Sequence, residues 1–151
     1  MPDRPAYRLW PPIALGAPWL TGVILTAAAG DPFPVPALDL VGWLLVAGFA
    51  AWNGWALLLM GAHRTALLPG GATTTLIERG PFRLSRNPLY VGLVALDLGT
   101  ALLAGSAWAA LLVPVGVAAL TWGAIAPEEA YLRAKYGEEY AGYCSRVRRW
   151  L

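Results

Sequence analysis

Four apolar runs decide what this chain can become: Pro12 to Ala29, Leu40 to Met60, Pro88 to Gly105, and Ser106 to Ala126. Together they take up more than half of the 151 residues. At about 1.5 Å per residue, each is long enough to cross or nearly cross a hydrocarbon layer about 30 Å thick. Residues are 58% hydrophobic and only 13% charged, which leaves too little polar surface for a water-soluble globule. The expected fold is all-α and integral to a membrane, with four transmembrane helices in a single domain over 1–151.

The basic residues give an independent test of that count. Arg4 and Arg8 precede the first run, and Arg64, Arg79, Arg83 and Arg86 lie between the second and third. Arg133, Lys135, Arg146, Arg148 and Arg149 follow the fourth. None falls at 30–39 or near Gly105, so all eleven lie on alternate sides. That segregation predicts four spans with both termini cytoplasmic, in a multi-pass protein of a bacterial inner membrane. Trp10, Trp19, Trp43, Trp108, Trp122 and Trp150 sit towards the ends of the runs, as interfacial anchors do, whereas Trp52 and Trp55 are placed for helix packing. With Arg4 and Arg8 before it and "TAAAG" at its close, the first run also has the outline of a secretory signal, whose removal would leave the remaining topology unchanged.

Composition narrows the chemistry. Cys144 stands alone and His63 is the single histidine, so a disulfide framework or a zinc or iron centre has no ligand set. The net charge of +2 is concentrated on the cytoplasmic side, where it would meet anionic lipid, and nothing in its pattern suggests nucleic acid.

Between the runs, "DPFPVP" at 31–36 is a proline-rich turn outside the membrane. The cytoplasmic connection at 61–86 is longer than helix joining needs and is expected to lie against the membrane surface as a functional loop. Almost nothing joins the third and fourth runs, which predicts an antiparallel hairpin, with Pro114 kinking the fourth helix. Past Pro127 the pattern turns polar. Leu132, Tyr136, Tyr140, Tyr143 and Val147 then recur at three- and four-residue spacing, giving one apolar face on a cytoplasmic helix over 127–149 that Gly137 divides.

Two polar patches could carry chemistry. In "RGPFRLSRNPLYVG", residues 79–92, Pro88 suits a first helical turn and Asn87 a cap. A helix start also offers free N–H groups and partial positive charge to an anion, and Arg83 and Arg86 add full charges beside it. Glu128 and Glu129 follow Pro127 in the first turn of the terminal helix, where the dipole alone would favour them. The hairpin nevertheless brings these carboxylates near the basic helix mouth.

"GPFRLSRNPLYVG", followed by "EEAYLRAKYGEEYAGYCSRV", resembles the isoprenylcysteine carboxyl methyltransferases and their relatives, the small membrane phospholipid methyltransferases. The resemblance spans roughly residues 60 to 149. It implies an S-adenosylmethionine-dependent methyltransferase whose cofactor pocket faces the cytoplasm and whose acceptor is a lipophilic small molecule or a lipid. By the same resemblance Arg86, Asn87, Pro88 and Tyr90 match the cofactor-binding stretch, and Glu128 and Glu129 the acidic pair. Arg146 matches an arginine near the substrate carboxylate, with Tyr140 and Tyr143 the tyrosines before it. Glu129, Tyr140 and Arg146 are therefore the expected catalytic group. Two departures, Asn87 in place of a histidine and Arg148 in place of a proline, argue against prenylcysteine itself as substrate.

Methyl transfer from a sulfonium needs alignment and exclusion of water more than acid or metal chemistry. A carboxylate acceptor needs only a positioning cation such as Arg146; an amine or thiol must also lose a proton, to Glu129, His63 or a tyrosine. Asp97, seven residues after Tyr90 and deep in the third run, is either a polar floor to a substrate tunnel or an acid bonded to Asn53 or a backbone carbonyl. Phospholipid amine methylation is an alternative within this class. Outside it stand a non-catalytic membrane scaffold and, on Asp97 and Asn53 alone, a small transporter or channel subunit.

Overall fold

The computed structural model describes residues 5–33, 38–63 and 75–151, and the regular structure among them is helical throughout. In chain order these are α1 (Pro11–Ala29), α2 (Asp39–Ala62), a 3₁₀ turn (Gly80–Arg83), α3 (Pro88–Leu103) and α4 (Ala107–Leu120). A π-helical turn (Thr121–Ile125), α5 (Ala126–Tyr136) and α6 (Glu138–Arg146) complete the chain. Arg4, Arg64, residues 34–37 with the second half of the proline-rich turn, and the 64–74 part of the long connection lie outside the described residues.

Three helices are long and apolar enough to cross a membrane: α1, α2 and the continuous rod from Ala107 to Tyr136. With 16 residues, α3 is shorter, spanning about 24 Å at the standard rise. It stops at Leu103 because Ala104 and Gly105 turn the chain, Gly105 at a φ of 63°. The hairpin to α4 follows at once. Large apolar side chains such as Leu20, Ile24, Leu40, Leu44, Leu58 and Val115 point outward, where only lipid makes exposure favourable.

α1 packs along α4 and α2 along α3, with α3 also touching α4. Lipid tails remove the hydrophobic drive between helices, so close backbone approach through small residues takes its place. A Cβ on Gly22 would overlap the backbone of Ala109, which locks α1 to α4. At the α2–α3 crossing, a Cβ on Gly42 would stand 3.0 Å from the Gly99 carbonyl oxygen, and one on Gly99 2.9 Å from that of Gly42. Trp52 joins the same pair of helices through Nε1 to the Pro88 carbonyl at 2.7 Å. Trp55, expected to pack likewise, is instead about half exposed and lies against Gly80. Trp10, Trp43 and Trp122 are exposed, as anchors require, and Trp108 donates to the Gly30 carbonyl at 3.0 Å.

The end of the bundle at the Gly105 turn is clasped by neutral hydroxyls and one acid. Ser106 caps α4 by accepting from Ala109 N at 3.0 Å, and its hydroxyl meets that of Thr26 at 2.6 Å. Asp31 Oδ1 accepts from Thr26 Oγ1 at 2.9 Å and Ala107 N at 2.8 Å, setting a carboxylate at the positive end of α4.

At the opposite end α4 runs helically through Pro114, and a π turn follows seven residues later. Pro127 has no N–H to give the carbonyl four residues before it, and the Gly123 carbonyl accepts from Arg8 N at 2.8 Å and Leu9 N at 3.1 Å instead. Gly137, at a φ of 51°, separates α5 from α6, as the sequence led us to expect.

Candidate active site

Pro88 opens α3 with a fixed φ and no N–H to satisfy. Asn87 holds the cap position but its side chain does not cap, contrary to the sequence expectation. Its amide donates to the Arg149 carbonyl at 3.0 Å instead. Ser85 carries the local turn: its hydroxyl accepts from Asn87 N at 3.0 Å and donates to the Arg149 carbonyl at 3.1 Å. Arg86 N donates to the Arg148 carbonyl at 2.9 Å. The extended segment after α6 is thereby sewn across the mouth of α3.

That stitching delivers the Arg149 side chain to Glu129 on α5. Arg149 Nε reaches Oε1 at 2.9 Å and Nη2 reaches Oε2 at 2.7 Å, a bidentate pair. Arg86 Nη2 lies 3.3 Å from Oε1 and Arg133 Nη2 3.8 Å from Oε2. Burial works to raise the Glu129 pKa, but the Arg149 hydrogen bond and the charges of Arg86, Arg149 and Arg133 outweigh it and hold the carboxyl below its ordinary value. The same hydrogen bond raises the pKa of Arg149.

Glu128, one residue away, has the opposite surroundings. Its Oε2 accepts from Tyr90 Oη at 3.2 Å and Tyr7 Oη at 3.4 Å, both neutral donors, and it forms no ion pair among the described residues. Burial lifts its pKa above the ordinary carboxylate value, with the charge of Glu129 adding and the two phenol hydrogen bonds opposing. Adjacent acids on one helix therefore have separate characters: Glu129 is neutralised by guanidinium groups, while Glu128 has no compensating charge among the described residues.

α6 forms a roof over this pair. Tyr140 and Tyr143 are buried with ring centroids 6.1 Å apart, and Tyr143 Oη donates to the Phe82 carbonyl at 2.6 Å. Burial pushes both phenols up, with the charge of Glu129 adding at Tyr140 and that of Glu78 at Tyr143. Arg86 Nε, buried beneath the roof, has no hydrogen-bond partner among the described residues. An unpaired guanidinium N–H at such a place is an open donor for an anionic group.

Of the residues singled out in the sequence, Arg86, Asn87, Pro88, Tyr90, Glu128, Glu129, Tyr140 and Tyr143 gather at this end of the bundle. Arg146 lies on the rim, exposed, with Nη2 2.6 Å from Glu78 Oε2. Arg83 is exposed on the 3₁₀ turn. His63 ends α2, its Nδ1 2.8 Å from the carbonyl of Leu59 in its own helix. Asp97 sits about 10 Å further along α3 than Tyr90 and is not bonded to Asn53, whose amide donates to the Leu89 carbonyl at 3.2 Å. Arg149, Ser85 and Tyr7 were missed. Ser85 was legible in principle, since a hydroxyl two residues before a buried N–H is a turn signal; Arg149 and Tyr7 carry no local mark.

A model of the family described as phospholipid methyltransferase matches residues 38–139. The chain belongs to the phospholipid methyltransferase family. This agrees with the superfamily that its two motifs resemble. The matched stretch includes the mouth of α3 and both acids of α5, and leaves Tyr7, Tyr140, Tyr143, Arg146 and Arg149 outside it. An uncharacterized protein of Haemophilus influenzae is 38% identical over 63 residues, which is 42% of this chain and 100% of that relative. No solved structure matches the chain.

Proposed function

We propose that the protein transfers a methyl group from S-adenosylmethionine to a lipid-soluble or lipid-bound acceptor, at the cytoplasmic face of a membrane crossed four times. The observation that carries this reading is the meeting of the α3 mouth with the acidic pair of α5 through Arg86 and Glu129, 3.3 Å apart, inside a family of membrane methyltransferases. The segregation of basic residues supports the four-span orientation, with α3 as the short span.

The residues present fit the cofactor. It offers a carboxylate, for which Arg86 Nε is an open buried donor, and positive groups, for which Glu128 is a carboxylate lacking a cation. Once bound, S-adenosylmethionine supplies an electrophilic methyl group on sulfur. The chain's own contribution is to bind, orient and keep water out. Tyr140 and Tyr143 are buried beside Arg86 and Glu129, and Arg86 and Glu128 offer the opposite charges that the two ends of the cofactor need. Glu129, the expected catalytic acid, anchors the arginines that hold the C-terminal segment in place, and on this reading Glu128 takes the active role. Arg146 at the rim is placed to orient an acceptor carboxylate on exchanging Glu78; an amine or thiol acceptor, as in phospholipid amine methylation, would give its proton to Glu128.

Equilibrium binding of S-adenosylhomocysteine to the purified protein tests this reading. Micromolar to submillimolar affinity is the expected result, and absence of binding at millimolar ligand rejects it. A non-catalytic scaffold is the second reading, favoured by the saturation of Glu129 with arginines. It requires cells carrying Glu128→Gln to retain the wild-type phenotype.

A further inference from the structure

Residues 5–10 lie outside the matched family region, yet they close one side of the site. Arg8 N and Leu9 N both donate to the Gly123 carbonyl, at 2.8 and 3.1 Å. Leu9 occupies the space that a Cβ on Gly123 would need, and Pro5 is buried. The backbone is thus keyed to the π turn at the root of α5. This docking sets Tyr7 against the cluster of Tyr90, Leu120 and Ile125, with its hydroxyl 3.4 Å from Glu128 Oε2. Tyr90 Oη reaches the same oxygen at 3.2 Å. Both separations are long for an O–H···O bond, the spacing expected of a grip that tightens when the site is filled.

We propose that the N-terminal segment is a wall of the active site and that Tyr7 is a positioning residue acting through Glu128. Tyr7 and Tyr90 together hold one carboxylate oxygen and leave the other to face the bound ligand. The inference rests on the methyl-transfer reading above and extends it to a part of the chain beyond the matched family region. The groups facing Glu128 are Tyr7 from the N-terminal segment, Tyr90 from α3 and Glu129 on α5 itself. With these neighbours, loss of one hydroxyl donor leaves the ionised carboxylate less well satisfied, and its proton affinity rises.

The test uses the full-length protein in lipid nanodiscs as wild type, Tyr7→Phe, Gly123→Ala and Glu128→Gln. Infrared difference spectra in heavy water record the protonated carboxyl band that Glu128→Gln abolishes. The midpoint of that band moves to higher pH in Tyr7→Phe. Methyl transfer from labelled S-adenosylmethionine to a bacterial total lipid extract falls about tenfold to a hundredfold in kcat/KM, the cost of losing a bond to a charged group, and the acid limb of its pH profile moves the same way. Gly123→Ala, which unseats Leu9, reproduces both changes and carries the comparison should Tyr7→Phe not fold. An unmoved infrared midpoint, or wild-type turnover and pH profile in Tyr7→Phe, overturns the proposal. A shifted midpoint in a protein whose wild type shows no methyl transfer keeps the pairing of Tyr7 with Glu128 and removes the methyl-transfer reading instead.

Discussion

Arg149 grips Glu129 with two parallel hydrogen bonds, 2.9 and 2.7 Å, across twenty residues of sequence and between two different elements. The backbone of Arg149 is itself held by Ser85 and Asn87, so side chain and main chain fasten the C-terminal segment to α5 and α3 together.

Arg149→Ala removes the bidentate partner of a carboxylate that is only 4% exposed. Arg86 and Arg133 remain, and Arg149 is partly open to solvent, so the cost should be about 1–2 kcal/mol, below that of breaking a fully buried pair. Thermal unfolding in detergent measures it. Arg149→Lys recovers less than half, because an ammonium cannot make the forked contact.

The two acids respond to pH in opposite directions. Glu129 has a depressed pKa, so its contribution to stability is present above the ordinary carboxylate value of 4.5 and is lost as pH falls through the folded value. Glu128 has a raised pKa, so its contribution is present below 4.5 and is lost as pH rises through the folded value. At neutral pH, Glu128→Gln should therefore raise the unfolding temperature while abolishing methyl transfer, and Glu129→Gln should lower it. Unfolding temperature against pH for the three proteins decides the matter; a destabilised Glu128→Gln would contradict the assignment of the uncompensated charge.

Arg146 pairs with Glu78 on an exposed rim, where an ion pair contributes less than about 1 kcal/mol. Arg146→Ala is expected to leave unfolding and S-adenosylhomocysteine affinity nearly unchanged and to raise the KM for the acceptor. Unchanged acceptor kinetics would remove Arg146 from the substrate site.

Gly92 lies under the side chain of Asn53, whose Oδ1 overlaps the position a Cβ would take and has no hydrogen-bond partner. Gly92→Ala should destabilise by about 1–3 kcal/mol through overpacking. Asn53→Ala in the same protein relieves the overlap, and the double variant should unfold later than Gly92→Ala alone.

How much of this was legible in the sequence differs between fold and site. The apolar runs placed α1, α2 and α3 to within a few residues, since a bilayer demands continuous hydrophobic length, but the fourth run, read as ending at Ala126, continues helically to Tyr136. Gly137 was readable as a break because glycine there adopts a positive φ. Pro127 marks the Gly123 carbonyl as open, since proline has no N–H to give it, but that Arg8 and Leu9 would dock there was not readable. For the site, "SRNP" and "PEE" pointed to the two patches that meet. The different surroundings of Glu128 and Glu129 were not readable, because identical neighbours in sequence are distinguished only by arginines and tyrosines arriving from remote elements. Arg149 was hidden for the same reason.

The clasp at the Gly105 end uses Asp31, Ser106 and Thr26 in short local bonds, whereas the opposite end is tied by guanidinium groups, some of them open to water. Added electrolyte weakens the exposed members of the second kind, Arg146 with Glu78 and Arg133 with Glu129, and hardly touches the first. Ionic strength should thus loosen the rim of one extremity of the bundle while the other stays shut, without the helices parting along their length.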